Sequence, residues 1–70
     1  MIPLIYADMN EKNVVRKVTG KPEVRRHLAD IGFVTGAVVS VISGVNGNLL
    51  VSVKDSKIAL DRDLAARIMI

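Results

Sequence analysis

The stretch AVVSVISGVNGNLLVSVKDSKIAL, residues 37–60, decides the fold. Its first part, AVVSVIS (37–43), is rich in β-branched residues and alternates, the pattern of a half-buried strand. Asn46-Gly47 follows, a strong hairpin signal because both residues tolerate the left-handed backbone of a two-residue turn. LLVSVK (49–54) runs back as a second strand, Asp55-Ser56 turns the chain again, and KIAL (57–60) supplies a third. Strands joined by connections this short pair antiparallel.

Toward the N-terminus, VTG (34–36) forms a turn in which Gly36 is free to adopt the positive φ of a type II turn. Before it, KPEVRRHLADIG (21–32) predicts a helix over 23–31, with Pro22 in the first turn, where its missing N–H is not needed. Val24, Leu28 and Ile31 recur at i, i+4 and i+7 and make one apolar stripe. Gly32 suits the left-handed residue that ends a helix, and Phe33 then folds back onto the stripe. VVRKVTG (14–20) reads as a strand, although Val14, Val15 and Val18 break strict alternation; a bulge or burial on both faces accounts for that. Toward the C-terminus, Asp61 caps a short helix, RDLAAR (62–67), and RIMI (67–70) closes the chain as a last short strand. The expectation is a mainly β fold of about five short strands, with one interposed α-helix and a short helical turn near the C-terminus. So small a sheet hides its edges best by curling into a barrel.

Seventy residues predict a single domain, 1–70. Half of the residues are hydrophobic and 24% are charged, too apolar a balance for a disordered segment. With no cysteine there is neither a disulfide framework nor a thiolate metal site. No apolar run approaches the ~18 residues of a transmembrane helix, and MIPLIYA lacks the basic flank of a signal peptide. The chain therefore reads as cytoplasmic. Its net charge is +3, but Arg16, Lys17, Lys21, Arg25 and Arg26 crowd together opposed by Glu23 alone, a cluster suited to an acidic partner.

Catalysis is not expected. A nucleophile needs a base and an orienting group, and here His27 is the only histidine, while the serines at 40, 43, 52 and 56 carry no motif. GVNGN (44–48) lies between strands and lacks the Lys-Ser/Thr of a phosphate loop. Glu23, His27 and Asp30, spaced i, i+4 and i+7, put an imidazole and two carboxylates on one helix face, and such ligands suit ferrous iron, manganese or zinc. The plainer reading is a solvated helix face, preferred because no second element brings a ligand. No cofactor is expected, and any contact with Fe2+ is expected to be weak. A nucleic-acid-binding barrel would stack bases on aromatics, but Tyr6 and Phe33 are the only two, so no specific nucleic acid is expected. Proline-motif recognition fails on the same shortage.

RRHLADIGFVTGAVVSVI (25–42) resembles the signature of the ferrous-iron transport protein A (FeoA) family, with Arg25, Arg26, Leu28, Asp30, Ile31, Gly32 and Gly36 at its positions. The tail KIALDRDLAARIMI (57–70) is similar to the family's closing segment, through Ile58, Ala59, Leu60, Ala65 and Ile68, and VVRKVTG to its first core strand. Thr35 stands where the family usually has Pro, and MNEKN (9–13) replaces the usual Pro-Gly before the first core strand. The resemblance implies an SH3-like barrel. It also implies a small cytosolic, non-enzymatic accessory of the membrane ferrous-iron transporter FeoB, peripheral to the membrane through that partner. The same module ends some iron- or manganese-dependent repressors, which leaves metal-sensing regulation as one alternative, although no helix-turn-helix is present to favour it; a small basic nucleic-acid-binding barrel that uses the basic cluster is the other. Lys21, Arg25, Arg26, Val34 and Thr35 are the expected partner-binding residues.

Overall fold

The computed structural model describes the backbone of residues 1–70 and every side chain but that of Val45. Its strands are β1 (Asn13–Val14), β2 (Lys17–Val18), β3 (Val38–Val45), β4 (Asn48–Val53), β5 (Ser56–Asp61) and β6 (Ile68–Met69). Helix α1 (Pro22–Asp30) lies between β2 and β3, and α2 (Arg62–Ala65) between β5 and β6. An antiparallel sheet runs in the order β1-β3-β4-β5, and β2 pairs with β6 in a second, two-stranded sheet.

The central meander follows the local signals. Asn46 and Gly47 both have positive φ, so the β3–β4 connection is the two-residue turn their chemistry favours. The next turn is centred one residue earlier than expected. Val53 pairs with Ser56, which leaves Lys54 and Asp55 as the turn residues, with φ of 48° and 62°. Within β3 the register shifts between Val41 and Ser43, a bulge that bends the strand as the barrel requires.

Six strands are present rather than about five, because VVRKVTG divides in two. β1 pairs with β3, while β2 pairs with β6. Between them Val15 is fully buried: its N–H donates to Ala37 O at 2.9 Å, and its carbonyl accepts from Gly36 N at 2.8 Å. The Arg16 N–H already donates to Met69 O at 2.8 Å, in the other sheet. The change of sheet at residues 15–16 is the reason the valines do not alternate.

Helix α1 ends as its sequence predicts. Gly32 has φ of 116°, its N–H donates to Ala29 O at 3.0 Å, and the Phe33 N–H reaches Leu28 O at 2.9 Å. This paired motif satisfies the last carbonyls and carries Phe33 back against Leu28, and both side chains are fully buried. At α2, the Leu64 N–H donates to Asp61 Oδ1 at 2.8 Å, the expected cap.

The N-terminal segment supplies structure that its sequence did not announce. Leu4 opens a 3-10 turn, Leu4–Tyr6, and is fully buried. Ile2 and Ile70 exchange backbone hydrogen bonds of 2.9 and 2.8 Å, and the Asn10 N–H donates to Val41 O at 2.7 Å. The segment thus lies along both β6 and β3. Val39 and Val41 alternate inward opposite Val51 and Val53, and Leu4, Val15, Leu28, Phe33, Leu60, Ala65 and Ile68 complete the core. No polar or charged side chain is buried among the described residues, so apolar burial drives the folding.

Candidate functional site

Helix α1 decides which basic residues meet a second wall. Its stripe turns Leu28 into the core, with Val24 and Ile31 half-buried beside it. At about 100° per residue, Arg25 and Ala29 fall on the flank toward β2, whereas Glu23, Arg26, His27 and Asp30 fall on the outer side. Lys21 sits just ahead of the helix in extended backbone, without a side-chain cap.

The outer side forms an open concavity of about 600 Å³, bounded by α1 alone through Pro22, Glu23, Arg26, His27 and Asp30. The candidate ligands Glu23, His27 and Asp30 therefore share one surface, with the Arg26 cation among them. Among the described residues, no group of three or more His, Asp or Glu side chains is arranged to hold a metal ion.

The inner flank meets two other elements. β2 and the residue before it contribute Arg16, Lys17 and Val18; α1 contributes Arg25 and Ala29; and the following turn contributes Phe33, Val34 and Thr35, around a groove of about 360 Å³. The turn is held in place by its own chemistry. Gly36 has φ of 93°, and the Ala37 N–H closes the turn onto Val34 O at 3.0 Å, the expected type II arrangement. The bonds of Val15 to Gly36 and Ala37 then fasten the turn beside Arg16. Arg16, Lys17 and Arg25 are all exposed, and no carboxylate lines the groove. Val34 is 38% exposed, so the groove offers an apolar contact between cations.

Of the expected partner-binding residues, the structure gathers Arg25, Val34 and Thr35 here, turns Arg26 to the outer side of α1, and leaves Lys21 outside the lining of both. Arg16 and Lys17, members of the basic cluster but not of the expected partner-binding set, also line the groove. Their membership of the basic cluster was the available signal, but their placement depends on the bonds of Val15 to Gly36 and Ala37, which lie far along the chain.

Comparison with known proteins agrees with this architecture. A protein of Methanocaldococcus jannaschii named Fe(2+) transport protein A is 34% identical over 70 residues, which cover 100% of this chain and 85% of that one. A zinc-complexed FeoA of Stenotrophomonas maltophilia, described as a procaryotic SH3 domain protein and proposed to act as a ferrous iron transport activating factor, superposes with a TM-score of 0.85 at 25% identity, covering 99% of this chain and 88% of that one. At 19% identity, a manganese-dependent transcriptional repressor shares the fold alone, with a TM-score of 0.85 over 94% of this chain and 38% of its own. The barrel is SH3-like. A family model described as the FeoA domain matches residues 2–70, and the chain belongs to that family.

Proposed function

We propose that this chain is a non-enzymatic accessory of ferrous-iron uptake that docks on the cytosolic portion of the membrane transporter FeoB, and so works in the cytoplasm at the inner face of the membrane. The observation that carries the reading is the groove between β2, α1 and the turn at 34–36, which Arg16, Lys17 and Arg25 line together with the 38%-exposed Val34. Family membership supplies the link to iron transport, and the groove supplies a surface with the composition of a protein contact. An aliphatic centre rimmed by arginine and lysine buries apolar area while the charges steer and orient the partner.

Other readings have less support. Catalysis needs converging reactive groups, and this fold buries no polar side chain among the described residues. Base stacking needs exposed aromatics, yet Phe33 is fully buried and only Tyr6 presents a ring. Direct metal sensing through Glu23, His27 and Asp30 has the Arg26 cation against it in the same concavity. The fold shared with a repressor favours neither regulation nor transport.

The test is capture of FeoB from detergent-solubilised membranes by the tagged chain. Arg16→Glu with Arg25→Glu should abolish capture, while Arg26→Glu, on the outer side of α1, should leave it nearly intact. Undiminished capture by the double variant would remove the groove from the reading.

A further inference from the structure

We infer that the groove takes an extended acidic segment of a partner protein, with one aliphatic side chain seated between two carboxylates; the inference rests on the docking reading above. The arrangement of charge comes first. Arg16 and Lys17 stand on the β2 wall and Arg25 on the α1 wall, with no acidic residue in the lining. Cations contributed by two separate elements call for at least two carboxylates, which one compact anion does not supply. In an extended chain, side chains two positions apart point the same way. The pattern acidic-x-aliphatic-x-acidic therefore presents both carboxylates and the aliphatic group to one surface.

The middle of the groove argues for the aliphatic member. Val34 is 38% exposed, Val18 is half-buried, and Phe33 closes the inner side. A free phosphate or a lipid headgroup resting on the cations leaves that apolar surface wet, whereas a Leu or Ile side chain removes it from water. The groove's 360 Å³ is close to the lower end of the range that encloses small-molecule ligands, about 300–1,000 Å³. That is more than enough room to seat an aliphatic side chain between rim charges. Because all three cations are exposed, the electrostatic part of the affinity is sensitive to salt, and the aliphatic part persists.

The probe is the capped peptide Glu-Ser-Leu-Ser-Glu, titrated into the isotope-labelled 70-residue chain and followed by backbone amide shifts. Saturable shifts are expected at residues 16–18, 25, 29 and 33–35. Replacing the peptide's Leu by Ser should weaken binding about tenfold, the loss expected for leaving one aliphatic side chain in water. Replacing both Glu by Lys, or making Arg16→Glu with Arg25→Glu in the protein, should abolish the shifts. Inorganic phosphate, or vesicles of phosphatidylglycerol with phosphatidylcholine, should not reproduce them. The inference is overturned if phosphate or vesicles give the same shifts, if the Leu-to-Ser peptide binds equally well, or if the shifts fall on Glu23, Arg26 and His27. Should FeoB capture depend on Arg16 and Arg25 while the peptide fails to bind, the acidic segment is wrong and the docking reading stands. Peptide binding with capture indifferent to those arginines sinks the docking reading and leaves the groove's specificity established.

Discussion

Gly32→Ala separates two reasons why a glycine stands at the corner between α1 and the barrel. An added Cβ would meet Val53 Cγ2 at 3.5 Å and Lys54 Cδ at 3.7 Å, ordinary contact distances, so crowding contributes little. The backbone carries the cost instead. At φ of 116° the residue lies in territory that L side chains rarely adopt, and holding a non-glycine there costs about 1–3 kcal/mol. The entropy gained by stiffening the unfolded chain, about 0.4–1 kcal/mol, returns only part of that. A domain of this length is stable by roughly 4–10 kcal/mol, and each kcal/mol lost lowers its melting temperature by about 4–8 °C. Gly44→Ala is the matched control: its φ is not positive, but its Cβ would approach Leu49 Cδ2 at 3.3 Å, closer than any contact at Gly32. That neighbour is the end of a movable side chain, so the expected change is within about 0.5 kcal/mol. Urea and thermal unfolding followed by circular dichroism should therefore rank Gly32→Ala well below Gly44→Ala in stability. The opposite ranking would show that space, not backbone conformation, reserves these positions for glycine.

Leu4→Ala and Leu28→Ala should each cost about 2–5 kcal/mol in urea unfolding, since both side chains are fully buried; a negligible loss at Leu4 would deny the N-terminal turn its place in the core. Asp61→Ala should cost about 0.5–2 kcal/mol by removing the acceptor of the Leu64 N–H, and Asp61→Asn should restore most of it. Lys54→Asn should raise the melting temperature, because Lys54 holds φ of 48° in a two-residue turn that asparagine tolerates better, a relief of up to about 1 kcal/mol; a lower melting temperature would refute that reading of the turn.

What the sequence discloses follows the range over which each interaction acts. The Asn46-Gly47 turn, the Asp61 cap and the closure of α1 by Gly32 and Phe33 involve partners within six positions, and all three are present. Leu4 gave no such signal. Its burial depends on hydrogen bonds that tie Ile2 to Ile70 and Asn10 to Val41, partners with no local pattern to mark them. The division of VVRKVTG is intermediate: the broken alternation showed an irregularity, but only pairing with β3 and β6 fixes where the strand changes sheets. The groove divides the same way. That Arg25 and Arg26 face different directions follows from helical geometry, while the choice of Arg25 as the one facing Arg16 and Lys17 depends on how the turn at 34–36 is tied to Val15.

The mutual hydrogen bonds of Ile2 and Ile70 make this chain almost a ring. Two residues that exchange both bonds of an antiparallel pair stand about 5.5 Å apart at Cα, a gap that a short linker spans. Cutting between the exposed Asn46 and Gly47 and joining the old ends would then preserve every strand pairing while reordering the chain. The consequence is kinetic. The β3–β4 hairpin, now closed over two residues, would become a contact between the two new termini, and folding slows as contacts move apart in sequence. The permuted barrel should reach the same structure by a slower route, and any polypeptide fused to either end of the present one departs from a single point on its surface.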